Sequence, residues 1–569
     1  MRLSIPRIAP SAGRALPAIA ATLLLAGCGA QSTAPAPSGP AGAAGQSDAP
    51  VKPAVNRVVL AVAPPGFESN EMRHIGQSDT WQLRPVYEKL LGYDAATGAT
   101  YPQLATEWKL LPGGLSFEFT LRKGVQFHNG YGEMTAKDVN FSVRELVKED
   151  STGSPAPNWR QMIKSVDDSD LYKVVLNLRE ANANFMNSVS ELEGGGEIQS
   201  AANFDKTGPA TMQTGALAGT GPYQYLERSQ SSFIRFSRVP YQQWRATADF
   251  PEFEFRFMRE ASTRMAALLA SEVQLASLPN DLTVQAERQG YTIIRGKVAG
   301  LRTFLSMYCC MFNDPNDFSK GRVDPSSPLL DLRVRRALDK AINRDEMNKG
   351  IFGGKGEVMI LNHFHPSRPG WNPDWEKRWP GEYGYDPAKA KAILAEAGYD
   401  AAHPLSTSMF VEKLAQYSGS DDVAETVANY WRAAGVKVDL LQMDAAQITN
   451  ATRSNKLTNH FRVTATSAAL LLGVATYTST YPQGRGVAGA LDPVAEDILL
   501  NQIYKQMDVE KHPPLYRQLG DRMFEQHMSI PLFWLPAEIV VNPKVVGGYV
   551  FPGSISGTWT HVQNIKAAR

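Results

Sequence analysis

The stretch FEFTLRKGVQFHNG at residues 117–130, followed by TAKDVNFS at residues 135–142, says more about the fold than any other part of the chain. Over residues 115–121 apolar and polar side chains alternate, which is typical of a strand with one buried face. A glycine then allows a turn. Thr135, with an aspartate three residues later, has the pattern of a helix N-cap. These stretches predict a strand, a turn and a helix that runs to about Lys148.

Segments on both sides show further strand and helix patterns. Asp386-Pro387 is the pattern of an N-cap followed by a first-turn proline, and Gly398 lies where a helix should end. Strands are predicted at 57–62, 170–178 and 436–440, and helices at 80–91, 332–343, 388–397 and in a segment that Asp421 or Asp422 caps and Gly435 ends. Strands that alternate with helices indicate an α/β fold with at least one substantial sheet.

The overall composition is that of a globular protein. The chain has 569 residues, of which 43% are hydrophobic and 20% are charged, and this length suits two or more domains. Its 58 lysines and arginines almost balance its 57 aspartates and glutamates, leaving a formal net charge of +1. A balance so close to neutral provides no field that would hold nucleic acid, so no nucleic-acid partner is expected.

The N-terminus has the features of a targeting segment. Basic residues precede an apolar stretch at residues 15–26, which is too short to span a bilayer. The stretch ends in LLAGC, whose cysteine is Cys28, and this resembles the bacterial lipobox, in which the cysteine becomes the lipidated first residue. We therefore expect a signal peptide at 1–27 and a lipid on Cys28. A plain signal peptide that contains a cysteine is the alternative.

The segment after Cys28 predicts a flexible linker. Residues 31–52 are mostly alanine, proline, glycine, serine and glutamine, so they bury too little apolar surface to offset the entropy of ordering them. A coil of this length reaches about 25 Å. The lipidated cysteine and linker are placed at 28–54, and the folded body begins near Val55.

Several motifs occur in a fixed order along the body. They are residues 87–91 with 102–108, 117–130 with 135–142, 219–223, 334–344 and 385–399. Together they resemble the peptide/nickel-type substrate-binding proteins of ABC importers, extracellular solute-binding family 5. The resemblance runs from about residue 55 to the C-terminus. Most of these motif residues are interpreted as turns and core, so they indicate the fold more than the ligand.

The resemblance implies a periplasmic-binding-protein-like (type II) α/β fold, in which two lobes share a hinge and enclose a ligand. The first lobe would combine 55–86, 218–300 and 526–569, an extra domain would be inserted in it at 87–217, and the second lobe would span 301–525. The implied function is that of a lipid-anchored, periplasmic or extracytoplasmic monomer. It would capture a small, peptide-like solute without any cofactor and deliver it to an ABC permease and ATPase complex.

Aromatic and basic residues are the candidate ligand contacts. They are Trp81, His74 with Arg73 beside it, Trp371, Tyr477 and Tyr481. The resemblance implies a pocket-facing loop around residues 73–81 and a cleft-lining segment of the second lobe around residues 477–481, and Trp371 lies in a loop rich in proline and glycine. An aromatic ring offers a large apolar face, and a histidine or arginine offers hydrogen-bond donors. Packing, or a solvated loop, is the alternative for each of these residues.

One departure from the family concerns the ligand's charge. Peptide binders of this family usually carry, in the second lobe, an acidic residue that pairs with the α-ammonium. Residues 463–490 contain no aspartate or glutamate, and their one charged residue is Arg485. A ligand without a free amine, or one whose acid group meets Arg485, fits as well. A carboxylate from another loop, a non-peptide ligand such as a metal chelate, sugar or organic acid, and a sensory lipoprotein without a transport role remain alternatives.

Two residue pairs and the enzyme signatures complete the sequence evidence. His363 and His365 have neither a cysteine nor a carboxylate close by in sequence, so no metal site is predicted.

Cys309 and Cys310 are interpreted as small apolar residues of a buried strand, although adjacent cysteines can also form a disulfide. Motifs of zinc peptidases, nucleophile-elbow hydrolases and P-loop proteins are absent, and Gln224 replaces the third glycine of a dinucleotide fingerprint. An enzyme is not expected.

Overall fold

The computed structural model describes residues 52–467, 492–549 and 559–569, apart from 95–97, 154, 216, 311, 314–317, 413, 415–416, 418, 445–446, 449–450 and 452–456. The strands are β1 (Arg57–Val62), β2 (Leu91–Tyr93), β3 (Thr100–Pro102), β4 (Ala105–Leu110), β5 (Ser116–Leu121), β6 (Ile163–Asp167), β7 (Lys173–Leu178), β8 (Tyr223–Ser229), β9 (Phe233–Arg238), β10 (Glu252–Phe257), β11 (Leu275–Ala276), β12 (Thr292–Tyr308), β13 (Glu357–Val358), β14 (Ser406–Val411), β15 (Lys437–Gln442), β16 (His460–Ser467), β17 (Ile530–Val541), β18 (Val546–Tyr549) and β19 (Ile565–Ala567).

The α-helices are α1 (Ala136–Val147), α2 (Ala156–Met162), α3 (Phe185–Ser188), α4 (Ala201–Thr214), α5 (Ala261–Leu269), α6 (Asn280–Arg288), α7 (Leu332–Lys340), α8 (Arg344–Phe352), α9 (Pro373–Glu382), α10 (Pro387–Glu396), α11 (Ser420–Ala433), α12 (Pro493–Asp497) and α13 (His512–Glu525). A π-helix, Ile498–Ile503, follows α12. None of the helices in the described ranges is long and apolar enough to cross a membrane.

The elements with the clearest start and end signals in the sequence form as predicted. The strand predicted at 57–62 is β1, and the alternating segment around 115–121 is β5. Helix α1 begins with the expected capping box, in which the backbone N–H of Thr135 donates to the Asp138 carboxylate at 2.9 Å. Local side-chain chemistry was sufficient here because the caps and turns lie within a few residues of each other.

One helix prediction was wrong, and the start of another helix was misplaced. The segment 80–91 is not a helix: a short 3-10 segment, Gln77–Gln82, is followed by turns and an extended chain. Helix α11 is present, but its N-cap is Gly419, two or three residues before the predicted aspartate caps. In the first case the residues after position 82 form buried polar and apolar contacts with distant segments, and those contacts override the local helical spacing.

One large sheet organises the body. Its order is β15-β14-β16-β12-β17-β11-β1-β10-β9-β8, and β13 pairs with β17 off this path. Strands β12 and β17 are 17 and 12 residues long and pair with each other in antiparallel register. Their pairing is irregular between Arg295 and Leu301. Each of these crossing strands therefore belongs to both halves of the sheet.

The apolar side chains of the crossing strands enter two different cores. On β17, Ile530, Leu532, Phe533 and Leu535 lie in a core with residues of α7, α8, α10 and α11. Beyond Pro536, the residues Ala537, Ile539 and Val541 lie in a core with β1, β8, β9 and β10. A third core is built from residues between Leu90 and Ile198. These cores support the predicted two lobes and inserted domain, whose boundaries remain a prediction.

Two glycines of the motif at 219–223 are required by close packing. A Cβ on Gly219 would lie 2.0 Å from the carbonyl oxygen of Val86, and a Cβ on Gly221 would lie 2.3 Å from that of Pro85. No real side chain tolerates such distances. The two glycines therefore allow the chain just before β8 to pack directly against the backbone of Pro85 and Val86.

The adjacent cysteines are bonded to each other. Cys309 and Cys310 form a disulfide directly after β12, and their exposed fractions are 0% and 1%. Both belong to the core that contains α7 and α8. The predicted burial is confirmed, but the interpretation as strand residues was wrong, because β12 ends at Tyr308 and the two cysteines that follow it are joined by the bond that the sequence left open.

Candidate solute-binding crevice

Strand directions place a crevice across the middle of β12 and β17. Strand β1 is parallel to β10 and β11, and β11 is antiparallel to β17, so all three end towards the centre of β17. From the other half, β16 is antiparallel to β12 and parallel to β14, and its last residue pairs with Leu301. In open α/β sheets, ligands bind outside the carboxyl ends of the strands. The carboxyl ends of both halves meet here, and we call this region the crevice.

The loop after β1 carries the predicted residue His74 and its neighbour Arg73. Nη1 of Arg73 lies 2.7 Å from a carboxylate oxygen of Asp150, and a ring nitrogen of His74 lies 2.9 Å from the hydroxyl of Thr152. The other ring nitrogen of His74 is 3.4 Å from Glu71. These contacts hold the loop after β1 against Asp150 and Thr152. Ligand contact by His74 remains a prediction.

Trp81 lies in a core. Its ring is 2% exposed and makes edge contacts with Phe255 at 4.8 Å and with Phe257 at 6.3 Å between ring centroids. This arrangement favours the packing alternative, because little of the ring surface is left for a ligand.

Trp371 lies beside helix α13. Its ring contacts Trp375 edge-on at 5.1 Å, its indole N–H donates to Glu376 at 3.2 Å, and its carbonyl oxygen accepts from Arg517 at 3.1 Å. A cavity of about 330 Å³ opens next to it, lined by Pro513, Pro514, Arg517, Gln518 and Asp521 of α13. Every lining residue comes from one helix, which lies apart from the strand ends that form the crevice.

Tyr477, Tyr481 and Arg485 lie outside the described residues, as does Cys28. Their roles therefore stay predictions.

The crossing strand β12 carries a functional candidate that sequence reasoning missed. Arg302 is 2% exposed, and it pairs along the strands with Thr466 and Trp534, at the level where β16 ends. Its Nη1 donates to the side-chain oxygen of Asn362 at 3.1 Å and also contacts Nδ1 of His363. The signal in the sequence was the one charged residue of the segment LRTFLSMY at 301–308.

The histidine pair does not converge. His363 faces Arg302, whereas Nδ1 of His365 lies 2.7 Å from the Ser367 hydroxyl and its Nε2 lies 3.4 Å from Glu357. Within the described ranges, no three histidine, cysteine or carboxylate side chains are grouped so that they could hold a metal ion.

A second set of charges, built around the buried carboxylates of Glu88 and Glu191, joins residues 88–191 to the rest of the body. Nε of Arg245 lies 2.5 Å from a carboxylate oxygen of Glu88, and Nη1 of Arg245 lies 3.7 Å from Glu191. Nε2 of His561 lies 3.2 Å from Glu191, and Tyr101 donates to the same carboxylate at 3.4 Å. We call these five residues the junction cluster.

The electrostatics of the junction cluster are those of paired charges. Burial alone would raise the pKa of Glu191, but His561, Arg245 and Arg84 hold that pKa well below its usual range. Nearby, burial lowers the pKa of Lys89 to about 8 against the opposing influence of glutamate carboxylates. Each buried charge in this region is compensated by an opposite one, which is the arrangement expected of a structural network.

Comparison with known proteins shows the family to which the chain belongs and confirms its fold. Residues 99–471 match the family model described as bacterial extracellular solute-binding proteins, family 5, middle. The chain belongs to this family, which confirms the resemblance read from its motifs. Its members are solute-binding proteins.

Individual relatives agree with this family assignment. The chain is 25% identical over 381 residues to the dipeptide-binding protein of Escherichia coli K12, covering 63% of this chain and 66% of that protein, just under two thirds of its length. It is 25% identical over 462 residues to heme-binding protein A of Haemophilus influenzae, covering 77% of this chain and 78% of that protein. The periplasmic binding protein DppA from Helicobacter pylori, solved with the peptide STSA, superposes with a TM-score of 0.72 at 21% identity and covers 90% of this chain and 98% of its own. The predicted type II periplasmic-binding-protein-like fold is confirmed.

Proposed function

We propose that this chain is the solute-binding component of an ABC importer, and that it captures a peptide-like solute and delivers it to the permease and ATPase complex. Membership of family 5 carries this proposal, and the dipeptide-binding relative supports a peptide-like solute. The meeting of strand ends from both halves of the sheet supplies the place for the solute. We infer that the chain acts as a binding protein and catalyses no reaction.

The crossing strands supply a mechanism for capture. Because β12 and β17 each pass from one core to another, a small change in their irregular pairing near Arg295 and Leu301 would swing one half of the body relative to the other. The closed form gains when a solute makes contacts that exist only in that form. A dissociation constant near 1 μM needs about −8 kcal/mol in total, which a mostly enclosed site with a few polar groups supplies.

The proposed location is outside the cytoplasm, with the body tethered by a lipid on Cys28. The LLAGC stretch and the polar linker after it support this location. In cells that express the Cys28→Ala variant, the protein should move from the membrane fraction to the soluble fraction. A variant that stays in the membrane fraction as the natural chain does would refute the anchor without touching the binding role.

A non-peptide solute is the second candidate. The lack of acidic residues at 463–490 and the heme-binding relative favour it. A metal chelate or an organic acid would not need a partner for an α-ammonium group.

A thermal-shift panel tests the proposal. The purified body, without its signal peptide, should melt at a higher temperature with at least one class among dipeptides, N-acetyl dipeptides, sugars, simple carboxylic acids and metal chelates. A stabilising dipeptide supports the first candidate, and a stabilising chelate or acid alone supports the second. If every class leaves the melting temperature unchanged, the binding role is refuted.

A further inference from the structure

A loop that starts at the crossing strands reaches the hairpin formed by β2 and β3. Strand β13 pairs with Trp534 of β17, level with the end of β16. The chain continues from β13 to Arg368, whose guanidinium lies against the turn of the hairpin: a Cβ on Gly98 would lie 2.8 Å from its Nη1 and 3.6 Å from the hydroxyl of Tyr93. Burial raises the pKa of Tyr93, and the positive charge of Arg368 acts against that rise. Arg368 therefore touches the hairpin.

A second contact forms just after the π-helix. The backbone N–H of Ala183 donates to the carbonyl oxygen of Tyr504 at 2.7 Å. Three residues further on, the half-buried side chain of Met507 packs against the third core, which is built from residues between Leu90 and Ile198. A backbone hydrogen bond and an apolar contact thus join the segment 504–507 to the residues around Ala183.

The two sides of these contacts are anchored in different cores. Phe364, which precedes Arg368, and Ile503, which precedes Tyr504, lie in a fourth core with residues of α9 and α13. Leu91 of the hairpin and Phe185 of α3 lie in the third core. Along the chain, the strands β8 to β13 of the large sheet separate the two sides. A swing of one half about the crossing strands would therefore pull the contacts apart.

We propose that these contacts form a closure latch, which is made when the crevice is shut and broken when it opens. The latch consists of Arg368 against the β2–β3 hairpin, and of Tyr504 and Met507 against the segment at Ala183. Each contact contributes little, so the latch biases the balance between two forms without fixing it. It raises the affinity for a solute that it does not touch, because apparent affinity depends on the population of the competent form. This inference rests on the proposed function and concerns its regulation.

Two variants weaken the latch and leave the crevice intact. Met507→Gln places a polar amide against the third core, and Arg368→Gln removes the guanidinium from the hairpin. Each should lower the affinity for the solute by about three- to tenfold, with faster dissociation and an unchanged association rate. Val509→Gln is the control for the first variant, because Val509 is 65% exposed and lies two residues away. Arg333→Gln is the control for the second, because Arg333 is 52% exposed and pairs with Asp331 at the surface.

The probe is the compound that most stabilises the natural chain among the dipeptides, N-acetyl dipeptides, sugars, carboxylic acids and metal chelates of the thermal-shift panel. Calorimetry measures its affinity, and stopped-flow mixing measures its rates. Hydrogen–deuterium exchange follows the latch itself: the N–H of Ala183 should exchange more slowly with the probe bound, and less so in Met507→Gln. Without the probe, both latch variants should melt at the temperature of the natural chain.

Three results would overturn the latch while the binding function stands. The latch variants could bind like their controls, or the probe could leave exchange at Ala183 unchanged. A lower melting temperature of the latch variants without the probe would show a permanent structural contact instead. If no compound of the panel binds the natural chain, both proposals fail.

Discussion

Two arginines of this protein have described partners of different kinds. In the junction cluster, Arg245 lies between two glutamates, at 2.5 Å from Glu88 and at 3.7 Å from Glu191. On the crossing strand, the hydrogen-bond partners described for Arg302 include an asparagine and a histidine. Two carboxylates therefore hold Arg245, whereas an amide oxygen and an imidazole are among the groups that hold Arg302.

The difference lies in what a substitution would leave behind. A buried ion pair that is complete contributes to holding segments together, and breaking it leaves an uncompensated charge. Removing the donor of a hydrogen bond to a neutral acceptor leaves an unsatisfied group, which costs less. The contacts of Arg245 are therefore expected to contribute more to stability than the contacts described for Arg302.

The largest effect is expected at Arg245, where a substitution tests the difference between the two arginines most directly. Arg245→Met leaves Glu88 and Glu191 buried without their cation, so the free energy of unfolding should fall by about 3–5 kcal/mol. Urea unfolding of the natural chain and the variant measures this loss. Arg333→Met removes an exposed arginine in the same way and should cost about 1 kcal/mol or less. Equal effects of the two variants would contradict the structural role of the junction.

Titration separates two further buried groups, because the folded chain responds to acid with opposite signs at them. His128, whose Nε2 lies 2.8 Å from the carbonyl oxygen of Gly221, has its pKa lowered to about 4 by burial. The unfolded chain therefore takes up a proton first, and His128 lowers stability as pH falls from about 6.5 to 4. Burial raises the pKa of Asp79, in the segment after β1, to about 6. The folded chain binds that proton first, so Asp79 adds stability as pH falls from about 6 to 4.

These two contributions nearly cancel in the natural chain, and variants reveal them. Between pH 6 and 4, His128→Gln should gain up to about 3 kcal/mol of unfolding free energy relative to the natural chain, and Asp79→Asn should lose up to about 3 kcal/mol relative to it. Urea unfolding at several pH values provides the measurement. Parallel pH profiles for the three proteins would show that neither group is buried as described.

Close packing at the junction gives a smaller effect. Gly219→Ala would place a methyl group 2.0 Å from the carbonyl oxygen of Val86 and should cost about 1–3 kcal/mol of stability. Gly350→Ala is the matched control, because no atom lies within 4 Å of that Cβ and the residue is inside α8. It should gain about 0.5–1 kcal/mol. Thermal unfolding distinguishes the two, and a stabilised Gly219→Ala variant would argue against the tight junction.

The smallest effect on stability is expected on the crossing strand. Arg302→Met leaves the side-chain oxygen of Asn362 without one donor, so the loss of this contact should lower the unfolding free energy by about 1–2 kcal/mol. The same substitution at Arg245 is expected to cost more. A loss at Arg302 as large as the loss at Arg245 would mean that both arginines are structural.

The sequence predicted the fold wherever the deciding contacts were local. The capping box at Thr135 and the proline-started helix α10 needed only neighbouring residues. The segment 80–91 misled because Lys89 is completely buried and donates to the carbonyl oxygens of Ser188 and Glu193, about a hundred residues away. Helical spacing alone cannot reveal such contacts.

The same limit explains why the sequence predicted the candidate site residues only in part. Aromatic residues in loops were chosen for their chemistry, and Trp81 proved to be packed against Phe255 and Phe257. Arg302 was overlooked because its meaning depends on a turn 60 residues later in the chain. The one local sign was the single charged residue of the segment 301–308, and tertiary contacts decide whether such a residue is paired or functional.

The central claim is that the crevice closes on a single solute, and titration calorimetry combined with small-angle X-ray scattering tests it most directly. For the best stabilising compound of the panel, we predict one binding site per chain and a decrease in the radius of gyration at saturation. No saturable binding, or saturable binding that leaves the dimensions of the molecule unchanged, would contradict the account.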